Sequence, residues 1–228
     1  MHHNYFISIL ELAFVAIFVI GGAFAAFRRQ DESQLRVFRI QALAGKLGFE
    51  DFDPSPNSEF VMGWSFLDQF SRGENRFVFN LLKGTYQDQK LFVFDYHYQT
   101  GSGKDQQDHV TTVLMLIEKE CFSKITIGRE NALLRLARTF DSDDIKFESA
   151  EFSKTFRVHC ADKKFAYDVC NPQMMEFLLA NRDLQIEMQG PVILLAFDPQ
   201  LSVTLIEFNL QRIAQIRSLL PEYLFTNQ

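Results

Sequence analysis

The sequence predicts an α+β fold, in which an N-terminal transmembrane helix is followed by a soluble domain of antiparallel sheet with packed helices. Three observations support this class: an apolar stretch over residues 6–27, three segments that alternate apolar and polar residues between short polar turns, and later segments with helical spacing. The chain has 228 residues, of which 47% are hydrophobic and 25 are Phe, so it can bury a sizeable core. Only 11 Gly and 6 Pro are present, which excludes collagen-like and low-complexity chains.

The stretch over residues 6–27 has the length and composition of a membrane-spanning helix. Its single charge is Glu11, and at 1.5 Å per residue such a helix spans roughly 30 Å of hydrocarbon. A cleaved signal peptide is the alternative, because Ala-Phe-Ala at residues 23–25 resembles a cleavage site. No Lys or Arg precedes the stretch, and two Arg follow it directly, so an uncleaved anchor is favoured.

Positive charge lies on the C-terminal side of this helix. Between residues 28 and 46 five cations meet two carboxylates, so this stretch carries +3 and the rest of the chain −9 of the net −6. The cations expected at the membrane surface are Arg28, Arg29, Arg36 and Arg39. The positive-inside rule predicts a single-pass inner-membrane protein with its N-terminus outside and its C-terminal domain in the cytoplasm. Inverted insertion, which would expose the domain outside the cytoplasm, is the alternative.

Two features of the predicted anchor indicate contact with other membrane helices. Glu11 lies inside the apolar stretch, where it either reaches back to the interface or contacts a polar group of another membrane protein. Small residues spaced four apart would allow a second helix to approach closely: Gly21, Gly22, Ala25 and Ala26. The expected partners are therefore the lipid bilayer and either another membrane protein or a second copy of the chain.

The predicted organisation has three parts. These are a membrane anchor over residues 1–29, a juxtamembrane helix and linker over residues 30–58, and a soluble α+β domain over residues 59–228, which could divide into sub-lobes at 59–128 and 129–228.

Within the juxtamembrane part, helical spacing predicts a helix over residues 31–47, and the Pro- and Asn-rich residues 53–57 predict a break. Residues 59–70 are expected to form a short helix or loop that covers a sheet edge.

An antiparallel meander is predicted over residues 76–83, 91–100 and 109–118, which are rich in β-branched and aromatic residues. We expect Gln99 to pair with His109. This register would place two sets of side chains on one core face: Phe92, Phe94, Tyr96 and Tyr98 from one strand, and Val110, Thr112, Leu114 and Leu116 from the next.

The C-terminal half alternates short strand and helix signals. The predicted elements are a helix over 129–138, a strand over 155–160, a strand over 164–169, a helix over 172–180, a hairpin from 184–188 to 192–197, and a helix over 205–219. The buried stripe expected for the last helix is Leu205, Phe208, Ile213, Ile216 and Leu220.

One cluster of titratable residues can be constructed from the predicted sheet. Asp95, His97 and His109 would share the face opposite the aromatic residues, and a carboxylate beside an imidazole is the pair that orients a base for proton transfer. The competing interpretation is ordinary surface hydrogen bonding, because a shift of one residue in the register would separate the three side chains.

Other candidate motifs indicate structure rather than chemistry. Residues 101–104 (Gly-Ser-Gly-Lys) lack the spacing of a phosphate-binding loop and predict a hairpin turn. Cys160 and Cys170 are expected to be small core residues. No metal or cofactor site is predicted, the acidic domain argues against nucleic acid, and no small-molecule ligand can be identified.

One pattern over residues 151–179 comprises Glu151, Phe152, Lys154, Phe156, Val158, Asp162, Tyr167, Pro172, Met175 and Leu178. On these residues the segment resembles a bacterial membrane-associated family known only as a domain of unknown function, with a weaker likeness over residues 75–198. The resemblance implies a fold and a membrane tether. It implies no catalytic residue, because the family has none assigned.

The leading functional hypothesis is a noncatalytic, membrane-anchored protein with a cytoplasmic interaction or accessory domain, as a subunit of a larger membrane complex. The alternative is a membrane-tethered enzyme, hydrolase-like, that uses Asp95, His97 and His109.

Overall fold

The computed structural model describes residues 28, 30–49, 51–129 and 145–226. The chain divides into two compact units, Met1–Ala42 and Leu43–Gln228. The described residues of the first unit are helical, and those from residue 30 onward belong to helix α1, which spans residues 30–47. This confirms the helix predicted over residues 31–47.

Within the part of the chain that is described, no helix combines the length and the apolar character needed to span a bilayer. The predicted anchor over residues 6–27 and the predicted helix over residues 129–138 lie outside the described residues, the latter apart from Arg129.

The second unit is an α+β fold with an antiparallel sheet and packed helices, as predicted. Its six described strands are β1 (Asp51–Asp53), β2 (Glu74–Tyr86), β3 (Gln89–Thr100), β4 (Gln107–Gly128), β5 (Arg157–Cys160) and β6 (Ile186–Phe197). The long strand β4 organises the sheet: β3 and β6 flank its first half, and β5 and β6 flank its second half.

Short helices connect and cover the strands. They are α2 (Ser58–Gly63), α3 (Ala150–Thr155), α4 (Lys163–Val169), α5 (Pro172–Ala180) and α6 (Val203–Leu219), together with 3₁₀ turns at Asp68–Ser71, Gly103–Asp105 and Glu222–Phe225. Four helices start at a side chain that accepts a hydrogen bond from the amide three residues later: Asn57, Ser149, Asp162 and Asn171. The sequence therefore encodes the beginning of each of these helices locally.

The predicted meander of β2, β3 and β4 is confirmed, but its register was wrong by one residue. His109 pairs with Tyr98, and Gln99 pairs with Asp108. The reason is that β4 begins at Gln107, two residues before the predicted strand, so the connecting loop is shorter than expected. Residues 101–104 do lie in a hairpin connection, as predicted.

The aromatic ladder of β3 is a buried face, as predicted. The core on this side of the sheet comprises Val61, Leu67, Phe70, Val78, Leu81, Phe92, Phe94, Tyr96, Tyr98, Val113, Met115, Val192, Leu194 and Ala196. Residues 58–71, here called the covering segment, pack over this face. Phe60 and Phe70 place their ring centroids 5.2 and 5.9 Å from that of Phe94. The segment therefore covers a sheet face, and the predicted position at a sheet edge was wrong.

Two predictions for the C-terminal half were wrong. Residues 164–169 belong to helix α4, because Asp162 caps a helix whose buried residues recur at helical spacing. Residues 184–197 do not form a hairpin, because β6 continues through Gly190. Gly190 has a φ of 55° and pairs with Phe122, and the register between β6 and β4 shifts on either side of this pair.

Helix α6 packs on β4 and β6, on the face opposite the covering segment. Its predicted stripe is displaced at its N-terminal end. Leu205 and Phe208 are 47% and 51% exposed, while Ile206, Leu210 and Ile213 are buried. The buried positions follow the same helical period, shifted by one residue.

Candidate functional site

The three residues of the predicted titratable cluster do not converge on one point. Because His109 lies opposite Tyr98, it shares the aromatic face of the sheet. Asp95 and His97 point to the other face. The predicted convergence was therefore wrong, and the one-residue shift in register is its physical cause.

Both imidazoles make contacts at the loop end of the meander. His97 Nδ1 lies 3.0 Å from the Asn75 carbonyl oxygen, and its Nε2 lies 3.1 Å from Asp108 Oδ1. The Gln99 amide and His97 both contact Asp108, and these contacts lower the pKa of its carboxyl. His109 stacks on Tyr98 with ring centroids 4.7 Å apart.

Asp95 belongs to a buried hydrogen-bond network. Its side chain is 1% exposed, and Asn80 Nδ2 donates to its Oδ2 at 2.8 Å while Thr112 Oγ1 donates to its Oδ1 at 3.1 Å. Thr112 Oγ1 in turn accepts from the Leu201 amide at 3.0 Å. Asn80 has a φ of 52°, so Asp95 joins an irregular position of β2 to the segment that leads into α6. A carboxylate enclosed in this way holds β2 and the segment before α6 in place and does not contact a substrate.

The three cysteines form no disulfide. Cys160 and Cys170 are buried, as predicted, and burial raises the pKa of the Cys170 thiol. Cys121 is exposed. Among the described residues, no group of His, Cys, Asp and Glu has the arrangement of a metal site.

The predicted membrane-surface cations are described in part. Arg28 and Arg39 are exposed, and Arg36 is half-buried. Arg29 lies outside the described residues, as do the predicted helix-packing residues Glu11, Gly21, Gly22, Ala25 and Ala26.

The described part of the domain contains a groove of about 400 Å³. It lies where β6 ends and α6 begins, and Arg72, from the loop after the covering segment, lines it. Apolar side chains make up much of the wall: Ala196, Phe197, Pro199, Leu201 and Leu205. Asp183 and Asp198 also line it. We call this cavity the Arg72 groove.

Arg72, which lines the groove, and Tyr96, which belongs to the buried core, carry enclosed hydrogen-bond donors. Arg72 Nε and Nη2 and the Tyr96 hydroxyl are enclosed and have no hydrogen-bond partner among the described residues. Burial raises the pKa of the Tyr96 hydroxyl, while the charges of Arg76 and Arg72 oppose this rise.

A buried carboxylate fastens the covering segment to β6. Glu187 Oε1 accepts from the Asp68 amide at 2.5 Å, and its Oε2 accepts from the Gln69 amide at 3.0 Å. Desolvation raises the pKa of Glu187 to about 7, although the two amides oppose that shift. The Asp68 side chain is a second carboxylate near Glu187, and Lys124 Nζ lies 2.6 Å from its Oδ1 and compensates its charge.

Sequence reasoning missed Arg72 and Glu187. Arg72 stands in a polar turn that resembles any surface loop, so nothing local marks it. Glu187 carries a weak signal, since it is a carboxylate between Ile186 and Met188 in an apolar strand.

Comparison with known proteins bears on the fold. No family model and no curated protein matches the chain. Among solved structures, the chain is similar to the crystal structure of the mycobacterial trehalose monomycolate transport factor A, TtfA. The two are 15% identical, the match covers 84% of this chain and 98% of that chain, and the TM-score is 0.55. At this identity the likeness establishes a shared fold.

Proposed function

We propose that this chain is a noncatalytic, membrane-anchored protein whose folded domain acts at the cytoplasmic face as an interaction or accessory module of a larger membrane complex. The observation that carries the proposal is the dispersal of Asp95, His97 and His109. General acid–base chemistry requires its groups within reach of one reacting atom. Here one carboxylate is buried and the two imidazoles lie on opposite faces.

The fold supports an accessory role. TtfA is named a transport factor, and its fold covers most of this chain. One fold can serve unrelated functions, so the shared fold alone does not support this role. It supports the role together with the separation of Asp95, His97 and His109. We also propose membership of the bacterial domain family of unknown function, on the residues of segment 151–179 given above.

The anchor is supported by the apolar stretch over residues 6–27 and by the cations that follow it. Carbonate extraction of membranes tests it. The full-length chain should stay in the membrane pellet, and a variant lacking residues 1–27 should be released. A Glu11→Gln variant is the control and should remain in the pellet, because it leaves the apolar length unchanged. Release of the full-length chain by carbonate would contradict the anchor.

The accessory role is tested by the mass of the purified particle. We expect full-length protein in mild detergent to have a polypeptide mass well above the 26.5 kDa of one chain, through a partner or a second copy. Replacing both Gly21 and Gly22 by Leu should reduce that mass while the protein stays in the membrane. A lone monomer in several mild detergents would contradict an accessory function.

A further inference from the structure

The outer surface of the covering segment carries large apolar side chains. Met62 is 67% exposed and Phe66 is 41% exposed, while Trp64, the single Trp of the chain, is half-buried. The ring centroids of Trp64 and Phe66 lie 6.0 Å apart. We call these three residues the Trp64 patch. Exposed apolar side chains grouped so closely are typical of a surface that contacts another molecule or a bilayer.

The fold holds the Trp64 patch in place. The Trp64 amide donates to the Val61 carbonyl oxygen at 3.2 Å, and the Leu67 amide donates to the Trp64 carbonyl oxygen at 3.0 Å. Val61 and Leu67 are buried in the core beneath the segment. The ring centroids of Trp64 and Phe92 lie 6.4 Å apart. The patch is therefore formed before it meets a partner, so its binding does not require the ordering of a loop.

The Trp64 patch lies in an uncharged stretch of an acidic chain. Residues 60–67 contain no charged residue, although the net charge of the chain is −6. Of the two carboxylates that flank this stretch, Glu59 is exposed, whereas Asp68 is paired with Lys124 at 2.6 Å. This stretch can approach lipid headgroups with less repulsion than the acidic remainder of the domain.

One cation accompanies the aromatic rings. Lys90 is exposed, and its Nζ lies 5.2 Å from the ring centroid of Phe92, on which Trp64 packs. A Lys stem that lies along apolar surface can extend its ammonium group into the polar headgroup layer. Trp and Tyr are enriched at the same depth of a bilayer. The side chains of this surface therefore suit the boundary between headgroups and acyl chains.

The area of the Trp64 patch favours lipid over a second copy of the chain. At about 200 Å² for a large side chain, the exposed fractions of Met62 and Phe66 leave roughly 200 Å² of apolar surface. A stable protein interface takes about 800 Å² from each partner. A bilayer contact is possible with less area, because a tether on the same chain raises the effective concentration of the domain at the membrane.

We propose that the Trp64 patch inserts into the headgroup region of the membrane that holds the anchor, and so fixes the orientation of the folded domain on the bilayer. The inference rests on the proposed membrane anchor and adds a second lipid contact, made by the domain itself.

The fluorescence of Trp64 tests this contact, since the chain has no other Trp. Full-length protein is reconstituted into vesicles of phosphatidylcholine and phosphatidylglycerol, with or without bromine on the acyl chains near the headgroup. Bromine quenches an indole only at close approach. We expect the fluorescence to be at least about twofold weaker in the brominated vesicles, because interfacial Trp lies near the upper acyl chains.

Three variants connect the quenching to the Trp64 patch. Met62→Asp should recover most of the lost fluorescence, because it places a charge in the inserted surface. Met62→Leu keeps that surface apolar and should be quenched like the native protein. Both variants change a side chain that is 67% exposed, so they should fold. Leu205→Asp adds the same charge at a 47% exposed residue outside the patch and should also be quenched like the native protein.

Flotation of the vesicles on a density gradient separates this inference from the anchor. Protein that floats while Trp64 stays unquenched would overturn the docking and leave the anchor standing, whereas protein that does not float would contradict both. Equal quenching of the native protein and Met62→Asp would also overturn the docking, because proximity alone would then explain the signal. Shielding of Trp64 that appears only at high protein density would assign the patch to a second copy and overturn the docking.

Discussion

The raised pKa of Glu187 leads us to predict that the covering segment opens more readily as pH rises. Its pKa is raised from 4.5 to about 7 by desolvation, so the closed state binds a proton more tightly than the opened state. Such a group stabilises the closed state fully below pH 4.5 and loses that contribution as pH rises through 7. The charged groups that face it are Asp68, which raises its pKa, and Lys124, which lowers it.

The magnitude follows from these two values. Between pH 5.5 and pH 8, the free energy of opening should fall by about 2 kcal/mol, a change of about 30-fold in the opening equilibrium. Amide hydrogen exchange at Asp68 and Gln69, whose N–H groups bond to Glu187, reports this equilibrium directly. After correction for the intrinsic exchange rate, their protection should fall by that factor.

Two variants separate the effect of Glu187 from general pH effects. Glu187→Gln cannot titrate, and its amide nitrogen faces one of the two N–H donors, so protection should be lower by about 1–3 kcal/mol and independent of pH. Glu118→Gln changes another buried carboxylate, one bonded to Arg217, and should keep the native pH dependence at Asp68 and Gln69. Protection at these amides that is constant or increases from pH 5.5 to pH 8 in the native protein would refute the reasoning.

Three further substitutions test the packing, each by thermal melting followed by circular dichroism. Gly84→Ala should lower the free energy of unfolding by about 1–3 kcal/mol, because its new methyl group would lie 2.5 Å from Phe49 Cδ1. Asp95→Ala should cost about 2–4 kcal/mol, since it removes the acceptor of two buried donors. Arg217→Met should cost about 3 kcal/mol, because it leaves the buried Glu118 carboxylate without its cation.

Matched controls exist for these three substitutions. Gly63→Ala meets no atom within 4 Å, Asp105→Ala changes an exposed carboxylate, and Arg182→Met breaks an exposed pair with Glu151. Each should change the free energy of unfolding by less than about 0.5 kcal/mol. If a control destabilises as much as its test variant, the assigned contact is not the cause.

Local signals in the sequence predicted most of the elements. The meander was predictable because polar turns separate strands with a clear period of two, and helix α5 because Asn171 precedes a proline at its first position. The register of β3 with β4 was not predictable, since the sequence does not show how many loop residues pair. Gln107 and Asp108 also pair with β3, and both precede the predicted start of the strand at residue 109.

Two errors came from signals whose meaning depends on distant residues. Gly190 followed by proline is typical of a turn, but strand β4 extends far enough to pair with residues on both sides of it, so the chain continues as one strand. Alternating Phe165, Tyr167 and Val169 indicated a strand, yet the cap at Asp162 starts a helix that leaves Tyr167 51% exposed.

The candidate site could be predicted least, for the same reason. The Arg72 groove joins a loop, the end of a strand and the start of a helix, and no local pattern relates them. Tyr96 was expected on the core face of the sheet. That the charges of Arg76 and Arg72 act on its hydroxyl became visible only in the fold.

The most direct test of a domain held at the cytoplasmic face is the accessibility of Cys121, the exposed thiol of the domain. A membrane-impermeant maleimide should leave Cys121 of the full-length protein unlabelled in intact spheroplasts and should label it after permeabilisation. Cys121→Ser should remain unlabelled in both conditions, because Cys160 and Cys170 are buried. Labelling in intact spheroplasts would place the domain outside the cytoplasm and contradict the account.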